Sequence, residues 1–354
     1  MILTKQETQI AKGVAICLIF IHHLFAFKGR MVDGNTYIPL FLHYDVELYI
    51  GKFGRLSVAI FLFLSGFGFL KSLERNPSAL KAIFFKVVRF YRVYWSYLLI
   101  FVPIGFLFFN QVKIFNSNNP RYAIDTLIFL KNFFGLSSSY NPEWWFVNLY
   151  LAILVLLLPL FKLIIDRSDI VLVLLSIALY GLSLRIHVFS NLFFWQLSFA
   201  VGMIVSKHEN KFEEICGKLF SLNIFYILSF MVGIFIFRFR FNKCDADFLI
   251  APLFVFVSIS LSRRIRTDKV LELLGKYSFQ MWLVHSFYCY YFFQSFIYAP
   301  KYSPLIFGLL TLCSLSTAML VENSKKIGFN MASRVMTPII RFPGFAAARR
   351  RTAR

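Results

Sequence analysis

Ionisable side chains are scarce in the apolar parts of this sequence, and the few that occur there have a pattern. Buried charges cost free energy in such surroundings, so each is a candidate for function. Lys12, His22 and His23 share the apolar stretch 10–27. On a helix, the residues from Lys12 to His23 turn through ~1100°, within ~20° of three full turns, and rise ~16 Å. Lys12 and His23 are therefore expected on one face, a cation at the mouth and an imidazole deep beyond it. His22 is expected to point well away from that face. Imidazole is the usual general base near neutral pH. A histidine bonded to a backbone carbonyl would instead serve helix packing, a reading weakened here by two adjacent histidines and a cation on one helix.

Arg89 and Arg92 are three residues apart, a spacing that puts both guanidinium groups on one side of a helix. Paired forks suit phosphate or pyrophosphate. They suit equally well the anchoring of a membrane helix to lipid phosphates. Ser65, Gly66 and Gly68 interrupt a bulky run that begins at Phe61 and read as helix-packing positions. Glu143 lies in Pro142-Glu143-Trp144-Trp145-Phe146, which reads as an aromatic belt at a membrane interface. Its carboxylate is either solvated there or a contact for acid chemistry or substrate. His285, ~12 Å into its own apolar stretch, either meets His23 across a bundle or bonds a neighbouring carbonyl.

The elements that must carry these residues follow from composition. Apolar residues make up 58% of the 354, aromatic residues 19% (46 are Phe) and charged residues 16%. Soluble domains hold ~45–50% apolar and ~25% charged residues. Such a chain cannot cover a globular core with polar surface. A soluble domain, a disordered chain and a fibrous repeat are excluded, leaving an all-α, polytopic transmembrane bundle. Ten stretches are apolar and long enough to cross: 10–27, 52–70, 86–109, 144–165, 169–186, 190–206, 219–237, 248–262, 277–297 and 304–323. With a cytoplasmic N-terminus and every stretch crossing, Lys and Arg divide 26 inside to 12 outside, which predicts N-in and C-in. The sequence thus reads as a transmembrane domain, 1–323, and a basic, partly disordered cytoplasmic tail, 324–354, containing Arg349 to Arg351. Two longer outer loops are expected. One, 28–51, holds Asp33, His43, Asp45 and Glu47; the other, 110–143, begins with Asn116-Ser117-Asn118 and holds an interfacial helix over 124–134.

The net charge of +21 follows from the cytoplasmic bias, and no nucleic-acid motif accompanies it. The cysteines (Cys17, Cys216, Cys244, Cys289, Cys313) form no CxxC pair, and only Cys244 falls in an outer loop, so no disulfide framework is expected. No metal-ligand spacing occurs, and no small-residue cleavage site follows the first stretch. No Asp or Glu lies clearly inside a stretch, which argues against ion-coupled transport.

Taken in order, these residues resemble the membrane-bound acyltransferase 3 family, which includes O-acetyltransferases of bacterial surface polysaccharides. The family's first helix carries an Arg, ten intervening residues and a His; here Lys12 and His23 hold those positions. Its Arg-x-x-Arg pair is matched by Arg89 and Arg92, and its Phe-rich run ending in Ser-Gly by Phe61 to Gly66. Its late Gly-x-x-Ser, aromatic, Leu-x-His pattern is matched from Gly275 through Ser278 to His285. The resemblance implies about ten helices, acetyl-CoA or another acyl-CoA as co-substrate, and a carbohydrate hydroxyl as acceptor. It also implies a catalytic His23 and donor contacts from Arg89 and Arg92. Lys12 in place of Arg keeps the charge and loses the bidentate fork. His22, His285 and Glu143 are candidates for supporting roles. The expected location is the cytoplasmic (inner) membrane of a bacterium. No bound cofactor, metal or nucleic acid is expected, and a homo-oligomer stays open. Direct transfer and an acyl-histidine intermediate are both open. A transporter or flippase for a lipid-linked saccharide shares the span count and interior cations and is the alternative.

Overall fold

The computed structural model describes residues 3–32, 34–41, 44–75, 78–114, 119–187, 189–212, 214, 223–240 and 246–340. Among these residues the chain is helical and forms no strand. Helix α1 (Lys5–Phe25) begins in a capping box: Glu7 N donates to Thr4 Oγ1 at 3.2 Å and Thr4 N donates to Glu7 Oε2 at 2.8 Å. Asp45, Ser78 and Asp125 cap the first turns of α2 (Val46–Phe53), α4 (Ala79–Phe108) and the short α5 (Thr126–Phe133). Between them runs α3 (Leu56–Arg75). A tight turn, Pro142–Trp144, leads into α6 (Trp145–Ala152), which passes through a wide π turn into α7 (Leu158–Ile165). Then follow α8 (Asp169–Ser183), α9 (Ser190–Lys207), α10 (Ile224–Arg240), α11 (Asp247–Arg264) and α12 (Asp268–Ser286). Helix α12 runs into a second π turn, Phe287–Tyr291, before α13 (Gln294–Tyr298) and α14 (Ser303–Ile340).

Among the described residues, each of the ten apolar stretches overlaps this set of helices, the stretch 219–237 from Ile224 onward. Among the described residues, five segments are long and apolar enough to cross a membrane: Lys5–Phe25, Val46–Leu73, Ala79–Phe108, Pro142–Ile165 and Ser303–Lys325. Helix α12 is not among them, because its first turns hold Asp268, Lys269, Glu272 and Lys276. Large apolar side chains stand exposed on the outside of the bundle, among them Leu99, Leu107, Leu163, Leu174, Val232 and Leu320. That surface suits hydrocarbon, not water. Helix α14 continues past residue 323 to Ile340. Residues 341–354, with the cluster Arg349 to Arg351, lie outside the described residues, as do Asp33, His43, Asn116 to Asn118, Cys216 and Cys244. Cys17, Cys289 and Cys313 are free thiols.

Hydrocarbon gives helices no hydrophobic reason to associate, so close packing must supply it. Two helix pairs do this with glycine on both partners. A Cβ on Gly13 of α1 would lie 2.0 Å from the Leu271 carbonyl oxygen of α12, and one on Gly275 of α12 only 1.7 Å from Gln9 O. Helices α3 and α9 repeat the device: Gly66 faces Phe199 O and Gly202 faces Phe63 O, at 2.0 and 2.1 Å from a would-be Cβ. The Ser65–Gly68 expectation is therefore met by Gly66 alone. Gly68 faces open space, and Ser65 lines the cavity described below.

The segment after α1 is strapped down. Gln294 of α13 accepts from Val32 N at 2.5 Å and Asn35 Nδ2 at 3.0 Å, and donates to Arg30 O at 2.9 Å. Ile38 N donates to Lys301 O at 2.7 Å, and Asp45 takes Lys28 and Tyr37 as partners. Burial works to raise the Asp45 carboxyl, but bonds from Lys28, Tyr37 and the Leu48 amide outweigh it and hold it below the usual carboxylate range. Arg30 is thereby fixed over the end of α1.

Candidate active site

A cavity of about 920 Å³ opens between these helices. At one end it is lined by Lys12 of α1 and by Lys86 and Arg89 of α4. At the other end stand His22 and His23 of α1, with Arg30, Lys52, Arg55 and Glu143. Phe61, Ser65, Phe90 and Tyr150 line the space between. The helical arithmetic for Lys12 and His23 thus leads to one continuous space. His22 corrects its expectation. It lines the cavity too, because α2 closes on this end of α1 and the Gly51 carbonyl lies 2.7 Å from His22 Nδ1.

The arginine pair divides. Lys86, Arg89, Phe90 and Val93 line the cavity, a stripe at helical period, whereas Arg92 is exposed and absent from the lining. Arg92 is turned ~120° around α4 from Lys86, off that stripe. The pair that shares the cavity face is Lys86 with Arg89, also spaced i, i+3. Lys86 was legible from this spacing but hidden among the other basic residues near it.

His23 has a defined tautomer. Tyr290 donates its hydroxyl proton to the backbone oxygen of His23 at 2.5 Å. The Tyr290 oxygen also lies 3.3 Å from His23 Nδ1, and with its proton committed it accepts there. His23 Nδ1 therefore carries the hydrogen, and Nε2 keeps a lone pair for the cavity. His285 lies behind His23, fully buried, with ring centroids 4.9 Å apart. Its Nδ1 donates to Trp282 O at 2.6 Å, and its ring stacks on Phe20 at 5.4 Å. His285 thus meets His23 across the bundle, and the carbonyl it bonds is one turn back on its own helix. Its Nε2 is buried with no hydrogen-bond partner.

Glu143 is not a solvated belt residue. It is 5% exposed and pairs with Arg30, Nη2 to Oε1 2.7 Å, while Tyr291 donates to its other oxygen at 2.5 Å. Asn141 caps the turn that aims it: Glu143 N donates to Asn141 Oδ1 at 3.2 Å, and Asn141 pairs with Ser286. The belt reading also fails for Trp144, which is 1% exposed and donates to Leu283 O at 3.0 Å, and for Trp145, which lines the cavity. Burial works against the Arg30 charge, but Glu143 and the flanking Tyr290 and Tyr291 outweigh it and raise the guanidinium above its ordinary pKa. The guanidinium carbon sits 3.7 Å from the Tyr290 ring centre, so one tyrosine touches both Arg30 and His23. Arg30 escaped the sequence reading because nothing local to it marks it. Its place depends on Gln294, more than 260 residues away.

The arrangement offers a lone pair on His23 beside a fixed cation, at one end of a space whose other end gathers Lys12, Lys86 and Arg89. It can bind a phosphate-bearing molecule lengthwise and move a proton at its far tip. No curated protein and no solved structure matches the chain. A family model described as an acyltransferase domain matches residues 7–322, which include every residue that lines the cavity. The chain is thus a membrane acyltransferase and belongs to the acyltransferase 3 family.

Proposed function

We propose that this protein moves an acyl group, usually acetyl, from acyl-CoA to a hydroxyl of a cell-surface or lipid-linked carbohydrate. All ten apolar stretches cross the bilayer in this reading, with both termini in the cytoplasm and the Lys12 end of the cavity facing inward, in the cytoplasmic membrane of a bacterium. The observation that carries it is the single cavity joining Lys12, Lys86 and Arg89 to His23. Those three cations hold the phosphates of the donor, with Arg92 at the margin. The thioester then reaches along ~16 Å of α1 toward His23.

At that point His23 Nε2 takes the proton of the acceptor hydroxyl as its oxygen attacks the thioester carbon. The carbon–sulfur bond breaks, and the CoA thiolate recovers the proton from the imidazolium. Arg30, held by Glu143, presents a preorganised positive charge to the oxyanion that forms between. The same lone pair can instead attack the thioester and carry the acyl group before the sugar receives it. Denaturing the protein at neutral pH after mixing with labelled acetyl-CoA and no acceptor separates the two, since only the second route leaves label on the protein, and that label is lost on acidification.

Membranes containing the full chain, given labelled acetyl-CoA and a surface glycan, test the reading. His23→Ala is expected to lower transfer by ~10³-fold or more while the purified protein keeps its thermal midpoint. Undiminished transfer by that variant rejects the role. A flippase reading rests on the same elongated cavity, and export of saccharide without acyl-CoA consumption would put it in place of acyl transfer.

A further inference from the structure

The His23 end of the cavity holds more positive charge than the donor reading uses. Arg30 is paired with Glu143, and Arg238 is bound to Asp247 with Nε to Oδ1 at 2.7 Å. Lys52 and Arg55 line the same end, are exposed to it, and form no ion pair among the described residues. Membrane proteins are depleted of Lys and Arg on the outer side, so a leftover pair there calls for a reason. Snorkelling to lipid does not supply one, because both residues face the cavity.

The backbone of Lys52 and the guanidinium of Arg55 are also held in place. Arg238 Nη1 donates to Lys52 O at 3.1 Å, and the Arg55 guanidinium lies 5.5 Å from the Trp195 ring centre. Trp195 and Trp145 are neighbours, ring centres 6.3 Å apart, and the half-buried Trp145 and Phe239 line the cavity with the two cations. Aromatic faces take the apolar face of a sugar ring, and guanidinium and ammonium groups take an anion. The donor's phosphates belong to the opposite end, beyond His23.

We propose that Lys52 and Arg55 form an acceptor subsite for an anionic saccharide, one whose sugar carries a carboxylate or a phosphate. The inference rests on the acyl-transfer reading for the direction of the two substrates. The ring stacks on Trp145 or Phe239, the anion meets Arg55 and Lys52, and a hydroxyl of the same sugar faces His23 Nε2.

The test uses the full chain in nanodiscs and three probes: a glucuronate tetramer, glucose 1-phosphate and a neutral glucose tetramer. Binding of each is measured by calorimetry, alongside binding of labelled acetyl-CoA. At least one anionic probe is expected to bind ~10-fold or more tightly than the neutral one, and the better of the two identifies carboxylate or phosphate as the natural group. Arg55→Ala and Lys52→Ala are each expected to weaken that anion ~10-fold with acetyl-CoA binding unchanged, and Arg55→Lys to restore part of it. Equal binding of neutral and anionic probes overturns the proposal, as does anion binding that survives Arg55→Ala. Loss of acetyl-CoA binding in Arg55→Ala also overturns it, by giving the pair to the donor. If anions bind as expected but no acyl transfer occurs with any acceptor, the subsite stands and the acyl-transfer reading fails.

Discussion

Helix pairs α1–α12 and α3–α9 are built by the same device and carry different loads. In both, glycines on each partner let backbone meet backbone, at would-be Cβ distances of 1.7 to 2.1 Å from a carbonyl oxygen. Along the first pair lie Lys12, His22, His23 and, buried behind them, His285. The second pair holds Phe63 and Phe199 at the corresponding close contact and contributes wall through Ser65, with Trp195 and, just before α3, Arg55 toward one end. Close approach is therefore scaffolding, a device that serves helix association in hydrocarbon whether or not the pair carries polar groups. The groups proposed for catalysis are an addition made to one of the two.

Substitutions that disturb one pair at a time sharpen this contrast. Gly275→Ala and Gly202→Ala each drive a methyl into a backbone carbonyl and are each expected to cost about 3 kcal/mol or more. Thermal unfolding in detergent should show a similar loss for both. Transfer per folded molecule should fall sharply only in Gly275→Ala, since only α1–α12 sets the relation of His23 to His285. Equal loss of turnover in both variants would dissolve the distinction. Glu143→Gln comes next. It keeps the shape but leaves Arg30 without its ion pair, and a ~100-fold fall in kcat with donor affinity intact is expected. An effect on donor affinity alone would move Glu143 out of the chemistry.

Smaller effects belong to the Lys12 end. Lys86→Ala with Arg89→Ala should raise the donor Kd by ~10- to 100-fold, as expected for two lost phosphate contacts, with little change in kcat. Arg92→Ala should change it less than Arg89→Ala does, and the reverse order would contradict the stripe on α4. The smallest change stabilises. Gly68 is helical with nothing within 4 Å of a would-be Cβ, so Gly68→Ala should gain about 0.5–1 kcal/mol where Gly66→Ala loses. A destabilised Gly68→Ala would show that an unseen neighbour covers this face.

What was legible in the sequence divides along the same lines. Helices were legible because apolar runs of sufficient length have no other stable form in a bilayer. Lys12 and His23 were legible because helical phase over eleven residues is arithmetic, and both line the cavity. Phase alone misjudged His22, because the rule says where a side chain points from its own helix but not which neighbour closes on it. Arg92 falls outside the cavity lining for a related reason: two residues on one side of a helix still differ by ~60° in direction, and only the neighbours decide which edge is inside. Arg30, Tyr290 and Glu143 form one cluster from three distant parts of the chain. No local spacing encodes contacts of that kind, and the aromatic run around Glu143 looked like an interfacial belt until the fold turned Trp144 inward.

The π turn Phe287–Tyr291 amounts to one residue more than an ordinary helical turn holds, closed by Phe292 N on Phe287 O at 2.7 Å. Within it, adjacent tyrosines serve different masters: Tyr290 answers to the imidazole and Tyr291 to the carboxylate. Removing a single residue there, Cys289 for instance, would let the helix wind regularly and swing the pair out of alignment with both. The machinery around His23 therefore hangs on a local miscount in the winding of one helix. Single-residue deletions, which most loops absorb, have at this spot the leverage usually reserved for the reacting groups themselves.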